Sequence, residues 1–256
     1  MSRRRLVALA LATSVFGCGL HAGPAAAHFW RPNVRAAARY AATRSGVVDF
    51  AVAGLGGGLR GRGVAQTAPA ASVFKVMLLA SYLRRPGVRN RPLHRSDRRL
   101  LRPMIRHSDS VAATRVRDIV GVARIKRLAR RAHMRDFHYH PIWGLSRTSP
   151  RDQARFMLHL QSFIPRRHRL FAMRQLSHIV PGQRWGVGRV RHRGWALYFK
   201  GGWGSGSGRV DHQVVLLRRG GHRLALAIFT QFDPGHAYGK QTLRGVATRL
   251  LSGLPG

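Results

Sequence analysis

Ser72 and Lys75 are the pair of residues whose types and spacing are best suited to covalent chemistry. They sit in the run Ala68-Pro69-Ala70-Ala71-Ser72-Val73-Phe74-Lys75-Val76-Met77-Leu78-Leu79-Ala80, which otherwise has the composition of a buried helix. On a helix, positions three apart share a face, so the hydroxyl and the amine can meet. A serine at a helix start lies beside unpaired backbone N–H groups and the positive end of the helix dipole, both of which favour a developing anion. A lysine among Val73, Phe74, Val76 and Met77 loses hydration; this disfavours the ammonium and leaves a base for the hydroxyl. The plainer alternative is a serine cap and a lysine that reaches solvent from an ordinary core helix.

Other chemistries find less support. Cys18 is the only cysteine and falls within residues 2–27, which read as an export signal. In that segment Arg3-Arg4-Arg5 is the charged start, Leu6 to Leu20 the apolar stretch, and Ala25-Ala26-Ala27 the small-residue cleavage site. Twin-arginine export, a lipid anchor at Cys18 and a membrane anchor are the alternatives for this segment. Cleavage after Ala27 leaves no thiol, which excludes a cysteine nucleophile and a cysteine-built zinc site. His138 and His140 lie close together, with only Asp136 as a nearby carboxylate; histidines packed on loop aromatics suit them better than metal ligands. No metal or cofactor is expected.

The charge balance is extreme: 46 basic residues, nearly all arginine, face 8 acidic ones, for a formal charge of +38, and glutamate is absent. Such a field attracts polyanions. Anionic cell-wall polymer and nucleic acid both fit that description. Arginine is spread along the whole chain instead of forming one stripe, so specific nucleic-acid binding is not expected.

Pro32 to Arg44 reads as a helix, and Gly46 to Gly54 with Leu59 to Thr67 as a hairpin. The Ser72 helix runs to about Leu83. Residues 84–99, rich in arginine and proline, read as a solvated connector. Asp109 to Val120 reads as a helix with Val111, Val116, Ile119 and Val120 on its apolar face. Val122 to His133 reads as a basic amphipathic helix, and 136–147 as an aromatic, histidine-rich loop. Ser149 caps a further helix with Pro150 at its first position, and another helix follows Pro165. Three strands come next: Trp195 to Lys200, Val210 to Leu217 and Leu224 to Phe232, the last two joined as a hairpin. A helix from about Tyr238 to Leu251 closes the chain.

The expected fold is therefore α+β, an α/β/α sandwich whose five-stranded antiparallel sheet is built from both chain ends and flanked by helices, with an inserted all-helical subdomain. The expected division is a signal at 1–27 and one domain at 28–256. Within that domain the α/β part covers about 28–71 and 185–256, and the helical part about 72–184.

Three short motifs occur in order along this framework: Ser72-x-x-Lys75 at a buried helix start, Ser108-Asp109-Ser110 on a loop, and Lys200-Gly201-Gly202 at a strand end. In order and context the set resembles the signature of class A β-lactamases and penicillin-binding proteins, serine hydrolases of the β-lactamase/transpeptidase fold. Thr148-Ser149-Pro150-Arg151-Asp152 and Val210-Asp211-His212-Gln213-Val214 add to the likeness. The resemblance implies that Ser72 is the acylated nucleophile and Lys75 its proton acceptor. Ser108 would relay a proton to the leaving nitrogen, held in place by Lys200, which would also lower the pKa of Lys75 by repulsion. The backbone N–H groups of Ser72 and Trp203 would form the oxyanion hole, with Ser110, Gly201 and Gly202 as substrate contacts. It further implies a β-lactam or a peptidoglycan-derived peptide as substrate; export is the expectation from residues 2–27, and a monomer is expected although no residue pattern sets the oligomeric state. An alternative on the same fold is a non-catalytic binder of anionic wall polymer or nucleic acid.

Three departures bear on activity. Ser110 stands where the family has asparagine, and Gly201 where it has a hydroxyl that binds the substrate carboxylate. The glutamate that activates water for deacylation in class A β-lactamases is absent, and Asp136, the only carboxylate between Asp118 and Asp152, is the candidate deacylation acid/base in its place, on a shorter side chain. Deacylation is therefore expected to be weak.

Overall fold

The computed structural model describes residues 30–204 and 209–256. Residues 1–29, which include the segment read as an export signal and Cys18, and residues 205–208 of the glycine-rich stretch lie outside the described residues.

A single five-stranded antiparallel sheet organises the molecule: β1 (Val47–Gly54), β2 (Gly57–Arg62), β5 (Ala196–Gly204), β6 (Val210–Arg219) and β7 (His222–Gln231). The spatial order is β2-β1-β7-β6-β5, so strands from the two ends of the chain meet at the β1–β7 pair, where Phe50 faces Ile228 and Val52 faces Leu226. In β6 and β7 consecutive residues Val214–Leu217 and Leu224–Phe229 are all buried, because helices cover both faces. One layer is α1 (Val34–Ala42) with α9 (His236–Leu250); the opposite face is covered by α7 (Pro150–Leu158). The remaining helices are α2 (Phe74–Leu83), α3 (Pro86–Arg89), α4 (Arg95–Arg106), α5 (Ser110–Val120), α6 (Val122–Arg131) and α8 (Arg169–Ser177). They lie between β2 and β5 in sequence, around the fully buried α2. The α+β architecture is thus the one expected. Among the described residues no helix is long and apolar enough to cross a membrane.

Several local expectations are corrected. Residues 84–99 are not a solvated connector: Pro86 starts α3, and α4 begins at Arg95 with Val88, Leu93 and Asp97 buried. The basic composition hid a capping signal, since Asp97 accepts from His94 N–H (2.7 Å) at the start of α4. On α5 the buried face is Ala112, Ala113, Val116 and Val120, while Val111 and Ile119 are exposed; small residues allow the close approach to α2. The hairpin partner β2 ends at Arg62, short of Thr67. A two-stranded pair, β3 (Ala68–Pro69) with β4 (Arg147–Thr148), was not foreseen from sequence; it ties the aromatic loop to the chain entering Ser72. Finally, Lys200-Gly201-Gly202 lies inside β5, which continues to Gly204, and not at its end.

Candidate active site

The site forms where the turn before α2 meets the edge strand β5. Ala71–Val73 is a single 3-10 turn that feeds directly into α2, with Ala71 at a left-handed φ of 43°. Backbone strain of this kind persists only where surrounding structure over-determines it. Here the turn is pressed against β5 at Gly202: a Cβ there would lie 2.9 Å from both Ser72 N and Val73 N. Only glycine permits that approach, which sets the Ser72 amide beside the strand that carries Trp203.

Lys75, the second residue of α2, is fully buried. Its Nζ lies 2.8 Å from Ser72 Oγ, 2.5 Å from the Ser108 carbonyl, 3.1 Å from Ser108 Oγ and 3.4 Å from Ser110 Oγ. Burial pushes the amine down to about 7, against the opposing pull of the Asp109 carboxylate. The ring of Trp143, from the aromatic loop, closes the space 4.9 Å from Nζ. Trp143 in turn is fixed by Thr114 Oγ1 (3.1 Å) and by stacking on Phe74.

Ser108 reaches the site through a sharp reversal after α4. The Pro103 carbonyl accepts from both His107 N–H (3.0 Å) and Asp109 N–H (3.2 Å), and Ser108 takes φ 59°. Asp109 then caps α5 by accepting from Ala112 N–H at 2.8 Å. Lys200 completes the group: its Nζ donates to Ser108 Oγ (3.0 Å) and to the Gly201 carbonyl (2.7 Å). Complete burial, followed by the Lys75 charge, lowers the Lys200 pKa well below the usual lysine range. The like-charge effect that sequence placed on Lys75 therefore falls on Lys200, the more deeply enclosed amine.

Alternation along β5 puts Lys200 and Gly202 on the Ser72 side and Gly201 and Trp203 on the other. The missing hydroxyl at Gly201 has a structural counterpart: a Cβ there would lie 2.9 Å from the Trp185 indole, which fills that space. Gln213, opposite Gly201 on β6, holds Trp185 by donating to its carbonyl (2.8 Å) and accepting from Val187 N–H (2.7 Å). Trp185 packs edge-on to Trp203, and His236 from the start of α9 packs against both rings.

Asp136 is not brought to this group. Its carboxylate accepts from Ser149 Oγ (2.6 Å) and Arg151 Nη2 (2.8 Å), bracing the start of α7. His138 and His140 organise their own loop: His138 pairs its backbone with Arg147, and His140 Nδ1 accepts from Ile142 N–H at 3.0 Å. Among the described residues no group of three or more His, Cys, Asp or Glu could hold a metal ion. Sequence reasoning missed Trp143, Trp185 and His236 as parts of the site. A lone aromatic or histidine carries no spacing signal, and only the fold collects them.

A family model described as the beta-lactamase enzyme family matches residues 89–253. The chain belongs to the beta-lactamase enzyme family. That match includes Ser108 and Lys200 and begins after Ser72, whose place rests on the geometry above. No curated protein matches the sequence. Among solved structures, a beta-lactamase from Sphaerobacter thermophilus is 19% identical, covers 86% of this chain and 97% of its own, and superposes with a TM-score of 0.74. PBP-A is 18% identical, with 84% and 94% covered and a TM-score of 0.66. An ancestral class A beta-lactamase is 15% identical, with 86% and 99% covered and a TM-score of 0.71. At these identities the shared property is the fold. In this chain Ser110 follows Asp109 in the loop motif, Gly201 lies beneath Trp185, and glutamate is absent from the sequence.

Proposed function

We propose that the protein is an exported serine acyl-transfer hydrolase that forms an acyl-enzyme on Ser72 with β-lactams or wall-peptide-like amides. The observation that carries this reading is the 2.8 Å contact between Ser72 Oγ and a buried Lys75 amine whose pKa lies near neutrality. In its neutral form Lys75 accepts the Ser72 proton as Oγ bonds to the substrate carbonyl carbon. The resulting oxyanion is received by the backbone N–H groups of Ser72 and Trp203, brought together across Gly202. Collapse breaks the carbon–nitrogen bond, and the proton passes from Lys75 through Ser108 Oγ to the leaving nitrogen. Lys200 orients Ser108 throughout.

The acyl-enzyme is long-lived on this reading. Facing Lys75 from the loop is the Trp143 ring, while Asp136 is committed to Ser149 and Arg151. No glutamate exists to activate a water. Ser110, at 3.4 Å from Lys75, is too short to offer the amide contacts of the asparagine it replaces. Export follows from the signal-like residues 2–27. Binding of wall polymer through the basic surface is a secondary property, since only the hydrolase reading uses the convergence of Ser72, Lys75, Ser108 and Lys200.

The test is intact-protein mass during incubation with benzylpenicillin, for wild type and Ser72→Ala. A persistent adduct on wild type alone is expected. Absence of any adduct on folded wild type, or an equal adduct on Ser72→Ala, overturns the assignment.

A further inference from the structure

A cavity of about 340 Å3 lies between α6 and the aromatic loop that follows it. Its lining is of two kinds. Lys126, Arg130 and His138 are exposed and bring nitrogen groups to the mouth. Ala129 and Met134 are buried, and with the half-buried rings of Phe137 and Tyr139 they make an apolar base.

The fold holds these parts in place. Lys126 and Arg130 are one turn apart on α6 and share a face. Met134 N–H donates to the Ala129 carbonyl (3.0 Å) just past the helix end. Asp152 then pins the chain by accepting from Arg135 N–H (3.1 Å) and Asp136 N–H (2.7 Å). Phe137 stacks on the fully buried Phe74 at 6.0 Å, and His138 exchanges both backbone bonds with Arg147 (2.9 and 2.8 Å).

Two cations four residues apart on a helix repel each other, and no carboxylate lines the cavity to offset them. The acidic residues of the neighbouring segments are committed elsewhere: Asp118 to Arg117, Asp136 to Ser149 and Arg151, and Asp152 to the loop backbone. Neither Lys126 nor Arg130 forms an ion pair among the described residues. Both charges in the lining are thus positive, and His138 adds an imidazole that can donate in either protonation state. Such a lining repels metal ions and organic cations, and a wholly apolar ligand would leave the two charges unanswered. A carboxylate has two coplanar oxygens. Donors that come from a helix and from a facing loop suit an anion whose oxygens point in several directions.

We propose that this cavity binds a phosphate ester, its phosphoryl oxygens held by Lys126, Arg130 and His138 and its carbon part laid on Met134, Phe137 and Tyr139. Because the cations stand at an exposed mouth, the ester can belong to a longer molecule. The site shares no residue with the Ser72 group, and it stands whether or not Ser72 is acylated. The two are neighbours all the same. Phe137 is the outer member of a stack that continues through Phe74 to Trp143 (6.3 Å), whose ring faces Lys75. An occupant is therefore three rings from the amine of the candidate active site.

The probe is phenyl phosphate, titrated by calorimetry into the full chain at neutral pH and about 0.15 M salt, where distant arginines are screened beyond about 8 Å. Saturable one-to-one binding is expected, roughly tenfold tighter than inorganic phosphate because the ring is buried on the apolar base, with none for phenol. Lys126→Gln and Arg130→Gln sit at exposed positions and keep a good helix former. Each should weaken binding roughly tenfold, while Arg127→Gln, on the same helix but off the cavity, should leave it unchanged. The His138 Cε1–H resonance, assigned by its loss in His138→Gln, should shift and saturate in the same titration. Competition separates the sources: displacement by adenosine 5′-monophosphate alone supports the site with a nucleotide as ligand, and displacement by glycerol 3-phosphate supports it with a polyol phosphate. No saturable binding, equal affinity for inorganic phosphate (an adventitious ion only), displacement by neither ester, or an equal loss in Arg127→Gln overturns the proposal.

Discussion

Replacing Lys75 with arginine separates the two things a cation at this position can do. Lysine at a pKa of about 7 is half neutral at pH 7, roughly one-tenth neutral at pH 6 and nine-tenths neutral at pH 8. An arginine keeps the charge and can still donate to the Ser108 carbonyl, but its neutral fraction at pH 7 is below about 10⁻⁵. If Lys75 takes the Ser72 proton, Lys75→Arg should lose the contribution of a general base, roughly 10²- to 10⁴-fold in the acylation rate. The wild-type rate should rise about tenfold between pH 6 and pH 8 along a single titration. Intact-protein mass at short times after benzylpenicillin addition gives both rates, and Lys75→Met serves as a neutral side chain of similar length. Thermal melting of each variant establishes that the fold is retained. An arginine variant that keeps a tenth or more of the wild-type rate, or a wild-type rate flat across this pH range, refutes the reasoning: Lys75 would then act as a fixed charge.

Three further outcomes follow from the same structure. Asp109→Asn removes the carboxylate that holds the Lys75 pKa up while keeping a good helix cap, so the acylation midpoint should move below pH 7 with little change in melting temperature; an unmoved or raised midpoint contradicts this. Gly202→Ala places a Cβ 2.9 Å from the Ser72 and Val73 amides, and acylation should fall roughly 10²-fold, as when an oxyanion donor is lost, measured by the same mass assay. Stability should fall in two pH windows. Burial holds His212 neutral, lowering its pKa to about 4, so its contribution is whole above pH 6.5 and lost as pH falls toward 4, on the order of 3 kcal/mol. Burial tends to raise the Asp97 pKa, but bonds from Arg91, Tyr82 and His94 N–H outweigh it and hold the carboxyl near 2; about 2 kcal/mol goes between pH 4 and pH 2. Denaturant unfolding between pH 7 and pH 3 measures the first window in full, and constant stability down to pH 4 would show that His212 is not the buried neutral group described.

The sequence carried the sheet because its strands are unusually explicit: alternating or wholly apolar runs separated by glycine turns. It carried Ser72 and Lys75 because a helix spacing of three has a direct spatial meaning. Composition supplied a further clue. Only four of the 46 basic residues are lysine, and two of those four, Lys75 and Lys200, lie in the site, where a guanidinium could not give up its proton. What stayed hidden was of two kinds. In 84–99 the arginines masked a buried apolar set, because long basic side chains can cover a core helix without entering it. Trp185 and His236 come from two separate segments, and nothing local to either marks their meeting. Asp136 illustrates the opposite error: being the only carboxylate in its stretch drew attention to it, while its real partners, Ser149 and Arg151, follow in the next helix.

The packing of Trp185 on Gly201 constrains the routes by which this sequence can change. A threonine at 201 alone would drive its Cβ into the indole. Loss of the indole alone would empty a buried space beside Trp203 and His236 and remove the ring that both pack against. Each single step is expected to be harmful, and only the pair together can exchange an aromatic wall for a hydroxyl. The two positions therefore behave as one inherited unit, and a screen that changes residues singly will report both as immutable while missing the path between the two arrangements.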